Sequence, residues 1–241
     1  MGTFASLLII VLVLPGILSM TLNEKKVYQD VIKDGDIPSF WLRLLNHVII
    51  VVPFAILGLF FYEREGFDIQ SIQGLNINSV SISLLCALIN VAAYYLFFKR
   101  RVSLDTFTKA ERSRTQLGIW TRIFYGGVVE EVIFRFGLMS FLVWLFNLFI
   151  TNTILSVWLS NLLASILFAL AHLPGVYQMK VSVTKTVLIY TNGMNIIVGL
   201  TCGWLYWKEG LAAAVMCHMI FHLVWYVFEK LGKRTVKALE M

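Results

Sequence analysis

The chain has 241 residues, of which 59% are hydrophobic and only 14% charged, with a net charge of +6 and a mean hydropathy of +0.78. Soluble domains carry about 25% charged residues, so this composition excludes a water-soluble enzyme and indicates an all-α, polytopic transmembrane helical bundle. Cys86, Cys202 and Cys217 stand singly in apolar runs without CxxC spacing, which argues against a disulfide framework or a thiolate metal cluster.

At roughly 20 mainly apolar residues per membrane-spanning helix, about seven spans are predicted, near 3–20, 46–62, 79–98, 118–150, 153–173, 185–207 and 209–228. No basic residue precedes the first, and Lys25 and Lys26 follow it, the wrong charge order for a secretory signal, so it reads as a retained helix. The segment 118–150 is too long for one straight span; a tilted helix and a break near Gly137 both fit. Between the third and fourth spans, residues 104–116 mix charges with Phe107, and fit either a short amphipathic helix at the cytoplasmic interface or a solvated loop.

Basic residues follow alternate spans: Lys25, Lys26, Lys33 and Arg43; Lys99, Arg100, Arg101, Lys109, Arg112 and Arg114; Lys180 and Lys185; and Lys230, Lys233, Arg234 and Lys237. The other connections hold little beyond Arg64 and Lys208. The positive-inside rule then places the amino terminus outside and the carboxyl terminus in the cytoplasm, and it explains the net charge as topology rather than nucleic-acid binding. Three divisions result: N-terminal helices and a cytoplasmic loop over 1–117, a core over 118–228, and a basic tail over 229–241.

Within YGGVVEEVIFRFG, Glu130, Glu131 and Arg135 lie inside a hydrophobic run, where ionisable side chains cost several kcal/mol unless compensated and usually mark function. Glu131 and Arg135 are four apart with the acid nearer the amino terminus, the favourable order for an ion pair on one helix face. Glu130, about 100° around the helix, is left free to face another part of the bundle. Gly126 and Gly127, one turn earlier, permit close approach of a neighbouring helix. His218 and His222 share a face of the last span, and Phe168 and His172 have the same spacing on the fifth. With 1.5 Å rise per residue, Glu130 lies about 18 Å into its helix from the cytoplasmic side and His218 about 14 Å from the opposite side. Glu130, His172, His218 and His222 are therefore expected to meet in the cytoplasmic half of the bilayer. His47 begins a span beside Asn46 and reads as an interfacial residue, and the tryptophans fit interface belts.

A carboxylate beside a histidine can take a proton from water to make a nucleophile for a peptide carbonyl, and further histidine N–H groups can stabilise the resulting oxyanion. One glutamate and three histidines can equally bind zinc. HExxH is absent, and spacing alone separates neither route from the other.

The ordered elements EEVIFR (130–135), FALAH (168–172) and HMIFH (218–222) resemble the three motifs of the CPBP (CAAX protease and bacteriocin-processing) family of intramembrane proteases, which includes the Rce1-type prenyl-protein endopeptidases. The resemblance covers about 118–228. It implies that Glu130 activates water with help from His172, that His218 and His222 line the oxyanion site, that Glu131 and Arg135 belong to the same catalytic set, and that no catalytic metal is needed, although the family was once grouped with metalloproteases. Zinc at Glu130, His172, His218 and His222 is the alternative. The chain departs from the pattern twice: His222 stands where asparagine is common, and Phe136 intervenes before Gly137. A neutral imidazole still donates one hydrogen bond, so the first change preserves that role.

The expectation is an endopeptidase acting on a membrane-associated protein or peptide, with prenylated CAAX-type proteins as one substrate class and the lipid bilayer as its surroundings. It would reside in the plasma membrane of a prokaryote or the endoplasmic reticulum of a eukaryote. A non-catalytic bacteriocin self-immunity or scaffold protein is a second reading, and a proton-coupled transporter using the same groups is a third.

Overall fold

The computed structural model describes residues 2–31 and 37–239; Lys33 and residues 240–241 lie outside them, as do the side chains of Lys233, Arg234 and Lys237. Among the described residues the secondary structure is helical without strands. The long helices are α1 (Thr3–Val31), α2 (Phe40–Phe61), α3 (Ile77–Phe98), α5 (118–147), α6 (Thr153–Ala171), α8 (Lys185–Glu209) and α9 (Leu211–Leu239). Two short helices join them, α4 (Leu104–Gln116) and α7 (Leu173–Gln178). Six of the long helices are long and apolar enough to cross a membrane, and the protein is an integral multi-pass membrane protein. The remaining long helix, α5, corresponds to the fourth predicted span and carries the charges Arg122, Glu130, Glu131 and Arg135.

Helix starts follow local chemistry. The side chains of Ser39, Asn76, Ser103, Asn152 and Thr184 accept backbone N–H groups of the first turns of α2, α3, α4, α6 and α8. Because Ser39 supplies its cap, α2 begins six residues ahead of the predicted 46. The 104–116 segment is a helix, capped by Ser103 and closed by an Arg114–Glu111 pair. Gly210, at φ +89°, breaks α8 from α9, and the Leu211 N–H is taken by the Asp68 carbonyl.

Helix α5 is continuous from 118 to 147, so of the two readings of this segment the unbroken helix holds and there is no break at Gly137. It contains two π-helical stretches, Arg122–Val129 and Val132–Met139, on either side of the glutamate pair. Such turns hold one more residue per hydrogen-bonded ring than an α-helix and recur at functional sites. The additional Phe136 lies in the second of them, fully buried, with its ring against Gly58.

Helix α5 sits at the centre of the bundle, where small residues let its neighbours approach. A Cβ at Gly126 would collide with the His222 ring and one at Gly127 with Met219, which brings α9 against the glutamates. Gly16 of α1 and Gly58 of α2 face α5 in the same manner. Behind it, α6 and α8 pack through small and polar residues: Gly199 meets Ser165, Gly203 meets Asn161, and Asn161 donates to the Leu200 carbonyl at 3.0 Å. Polar side chains of this kind join helices where apolar burial gives no preference over lipid.

Candidate active site

The two glutamates of α5 occupy different surroundings. Glu131 is fully buried, and Arg135, only 1% exposed, places Nε 3.3 Å from Glu131 Oε2. The four-residue spacing on one helix explains that pair. Its other oxygen accepts a 2.7 Å hydrogen bond from His218 Nδ1, which arrives from α9. The Arg135 guanidinium lies over the Phe168 ring, 4.8 Å from its centroid, so α6 closes this corner with an aromatic face. Thus Glu131 and Arg135 hold α5, α6 and α9 in one arrangement.

Glu130 points elsewhere and retains 20% exposure of its side chain. His172 Nε2 lies 3.9 Å and His218 Nε2 4.0 Å from Glu130 Oε2. His172 caps the end of α6, and its Nδ1 donates to the Phe168 carbonyl at 2.8 Å. A carbonyl only accepts, so the His172 proton sits on Nδ1, and the neutral ring presents an unprotonated Nε2 toward Glu130. The Glu131 carboxylate fixes His218 likewise. Each histidine thus offers a proton-accepting nitrogen to the carboxylate.

His222 is one turn beyond His218, with its ring stacked on that of His218 at 4.9 Å between centroids. Its Nε2 is buried without a hydrogen-bond partner among the described residues and lies against Gly126. All six residues singled out in the sequence therefore converge, with Glu130 central, His172 and His218 flanking it, Glu131 and Arg135 behind, and His222 at the edge.

Two cavities meet here. One, of about 500 Å³, is lined by Glu130, Tyr125, Gly126 and Phe134 of α5 with Ile50 and Phe54 of α2. The other, of about 380 Å³, lies beneath α4 and is walled by aromatic residues including Tyr94, Phe98, Tyr190 and Trp225. Leu117, Arg122, His172, Gly175 and His222 border both cavities. The histidines consequently stand at their junction, with an apolar chamber on one side and the carboxylate on the other.

Two polar groupings escaped the sequence reading. Arg122 makes a buried pair with Glu229 of α9, its Nη1 donating to both carboxylate oxygens at 3.0 Å. Arg114 of α4 adds to it 4.0 Å from Glu229, with its guanidinium over the rings of Tyr94 and Trp225. The second is built on His47, which is buried rather than interfacial: Nδ1 is 3.1 Å from the Tyr125 hydroxyl and Nε2 3.1 Å from Glu24 Oε2. Arg43 Nε in turn lies 3.2 Å from Glu24 Oε1. Arg122, a cation inside an apolar run, was the available signal for the first grouping. For the second, the signal was Glu24 immediately before the Lys25–Lys26 pair.

As to a metal, the described residues place Glu131, Cys202 and His218 with ligand atoms within 4.8 Å of one another. This is a different set from the Glu130, His172, His218 and His222 of the zinc reading. Its carboxylate is already shared by Arg135 and His218, so a cation there would face the arginine charge and displace the imidazole. The fit to a metal is poor at that point.

Residues 113–224 match the family model of type II CAAX prenyl endopeptidases, Rce1-like. This segment is Rce1-like. It contains all six converging residues and carries the expectation of CAAX-type intramembrane protease activity. Comparison with curated proteins and with solved structures gives no match. The Rce1-like segment begins in α4 and ends in α9, so α1, which supplies Glu24, and α2, which supplies Arg43 and His47, lie outside it with α3.

Proposed function

We propose that the protein is an intramembrane endopeptidase in which Glu130 activates water for attack on a peptide bond of a membrane-associated protein. Prenylated CAAX-type proteins are the substrate class that the family description names. One observation carries this reading: of two adjacent glutamates, the one without an arginine faces a cavity, with histidine nitrogens at 3.9 and 4.0 Å. A gap of 3.9 Å lets one water hydrogen-bond to both Glu130 and His172. Glu130 takes the water's proton as hydroxide adds to the carbonyl carbon, a general-base step worth about 10²- to 10⁴-fold.

His218 holds its Nδ1 proton on Glu131, so it donates to the oxyanion only when Nε2 is protonated as well. Glu130, 4.0 Å from that nitrogen, is the proton source within reach, and the same proton passes to the amine nitrogen as the C–N bond breaks and the amine leaves. His222 offers a second donor beside it. Glu131 and Arg135 orient this group without touching the reacting atoms. The reaction needs no metal in this scheme. The catalytic core is assigned to 118–228, between the N-terminal helices 1–117 and the tail 229–241, with the carboxyl terminus and the site's opening on the cytoplasmic side.

The test compares protein termini by mass spectrometry in membranes of cells expressing the parent chain or Glu130→Gln. New termini confined to the parent are expected, and they give the cleavage sequence. Identical profiles at matched expression, in a host shown to contain CAAX-type proteins, would overturn the protease reading in favour of a scaffold, immunity or transport role.

A further inference from the structure

We propose that Tyr125 binds substrate: its phenolic oxygen accepts a hydrogen bond from a backbone N–H of the peptide that Glu130 cleaves, with His47, Glu24 and Arg43 holding it for that task. The assignment rests on the protease reading above and adds to it a residue positioned by helices outside the Rce1-like segment.

Tyr125 and Glu130 line the same cavity of about 500 Å³. The π-helical stretch explains why, since the Glu130 N–H bonds to the Tyr125 carbonyl five residues back and residues five apart come into register. In a regular α-helix, at 3.6 residues per turn, they would point apart by roughly 140°.

The direction of the Tyr125 hydrogen bond follows from its partners. Glu24 Oε2 accepts from His47 Nε2 at 3.1 Å, and Glu24 Oε1 forms an ion pair with Arg43, whose Nε lies 3.2 Å away. Arg43 further donates to the carbonyls of Thr21 and Pro38, which locks it in place. Glu24 and Arg43 balance each other's charge, and a neutral His47 keeps the buried cluster at zero net charge, as a low-dielectric site requires. With its proton on Nε2, His47 presents an acceptor at Nδ1, so the Tyr125 O–H donates to it at 3.1 Å. The phenolic oxygen is then left with lone pairs alone, on a residue that lines the cavity.

An acceptor is what a bound peptide demands, because each N–H taken out of water must be paired or it costs free energy. Other polar side chains of this cavity have partners or roles already: Thr121 pairs with Asn23 and the Ser19 carbonyl, Arg122 with Glu229 and His172 Nδ1 with Phe168, while His172 Nε2 shares the water and His222, whose Nε2 has no partner, is assigned to the oxyanion. Glu130 is reserved for water. The Tyr125 oxygen remains to receive the substrate N–H.

The experiment uses the full chain in detergent and a synthetic peptide carrying the cleavage sequence found above. A set of ester-for-amide peptides replaces one backbone N–H at a time by oxygen, sparing the scissile bond. Tyr125→Phe is expected to raise KM about five- to tenfold, the size of one hydrogen bond, with kcat nearly unchanged. One ester peptide should show the same rise with the parent chain, and on that peptide parent and Tyr125→Phe should coincide. The parent series requires no variant, so a series in which no ester peptide raises KM overturns the assignment even if Tyr125→Phe folds poorly. Parent-like kinetics in Tyr125→Phe, or a KM defect that persists on every ester peptide, would overturn the assignment. Cleavage indifferent to Glu130→Gln would remove the protease reading itself, and this assignment with it.

Discussion

Glu130 and Glu131 are consecutive, yet they face opposite fates. Glu131 is wholly buried, with Arg135 Nε at 3.3 Å and His218 Nδ1 at 2.7 Å, so every contact it makes holds helices in place. Glu130 is partly exposed to a cavity and has only looser neighbours near 4 Å. A tightly paired carboxylate is a poor proton acceptor, whereas one held loosely beside a cavity can exchange a proton with water. Adjacent positions on a helix point about 100° apart, so one turn of backbone serves both structure and chemistry.

The contrast predicts that equivalent substitutions have different consequences. Glu130→Gln should lower peptide cleavage by about 10³-fold while leaving thermal unfolding in detergent unchanged. Arg135→Ala should instead destabilise the fold by about 3 kcal/mol, since Glu131 would be left as an uncompensated buried charge; a shift in the denaturation midpoint checks this. Unfolding of both variants to the same extent would erase the distinction.

Gly126→Ala tests the contact between α5 and α9. The new methyl meets His222 Nε2, so the imidazole must move, and a cost of about 1–3 kcal/mol is expected with reduced cleavage. Chelation followed by elemental analysis tests the chemistry at Glu130: cleavage should persist in metal-depleted protein, and restoration by zinc alone would shift the reading to zinc held by Glu130 and the histidines. The smallest effect is expected for His222→Asn, which keeps N–H donors at the edge of the site; cleavage should fall by less than about tenfold.

The comparison extends to the two halves of the chain. The half that carries the candidate site was legible because its signals are short-range or repeated: the Glu131–Arg135 spacing, the pairs Phe168/His172 and His218/His222, and Gly126–Gly127 beside them. His47 was not legible. Its partners Glu24 and Tyr125 are 23 and 78 residues away, and a lone histidine at the start of a span looks interfacial until they are brought to it. The Arg122–Glu229 pair, 107 residues apart, was hidden for the same reason. Of the two π-helical stretches the first was equally silent, while the second left one trace, the Phe136 that intervenes before Gly137.

By itself, then, the sequence determined the helical, membrane-embedded class and the order of the polar motifs, since hydrophobic length and i,i+4 spacing act within one segment. Which glutamate faces a cavity, where each histidine carries its proton, and whether Tyr125 meets the same cavity were decided only by tertiary structure. Those properties depend on which carbonyl, carboxylate or neighbouring helix lies within about 3–4 Å, and distant parts of the chain supply those partners only once the bundle has closed.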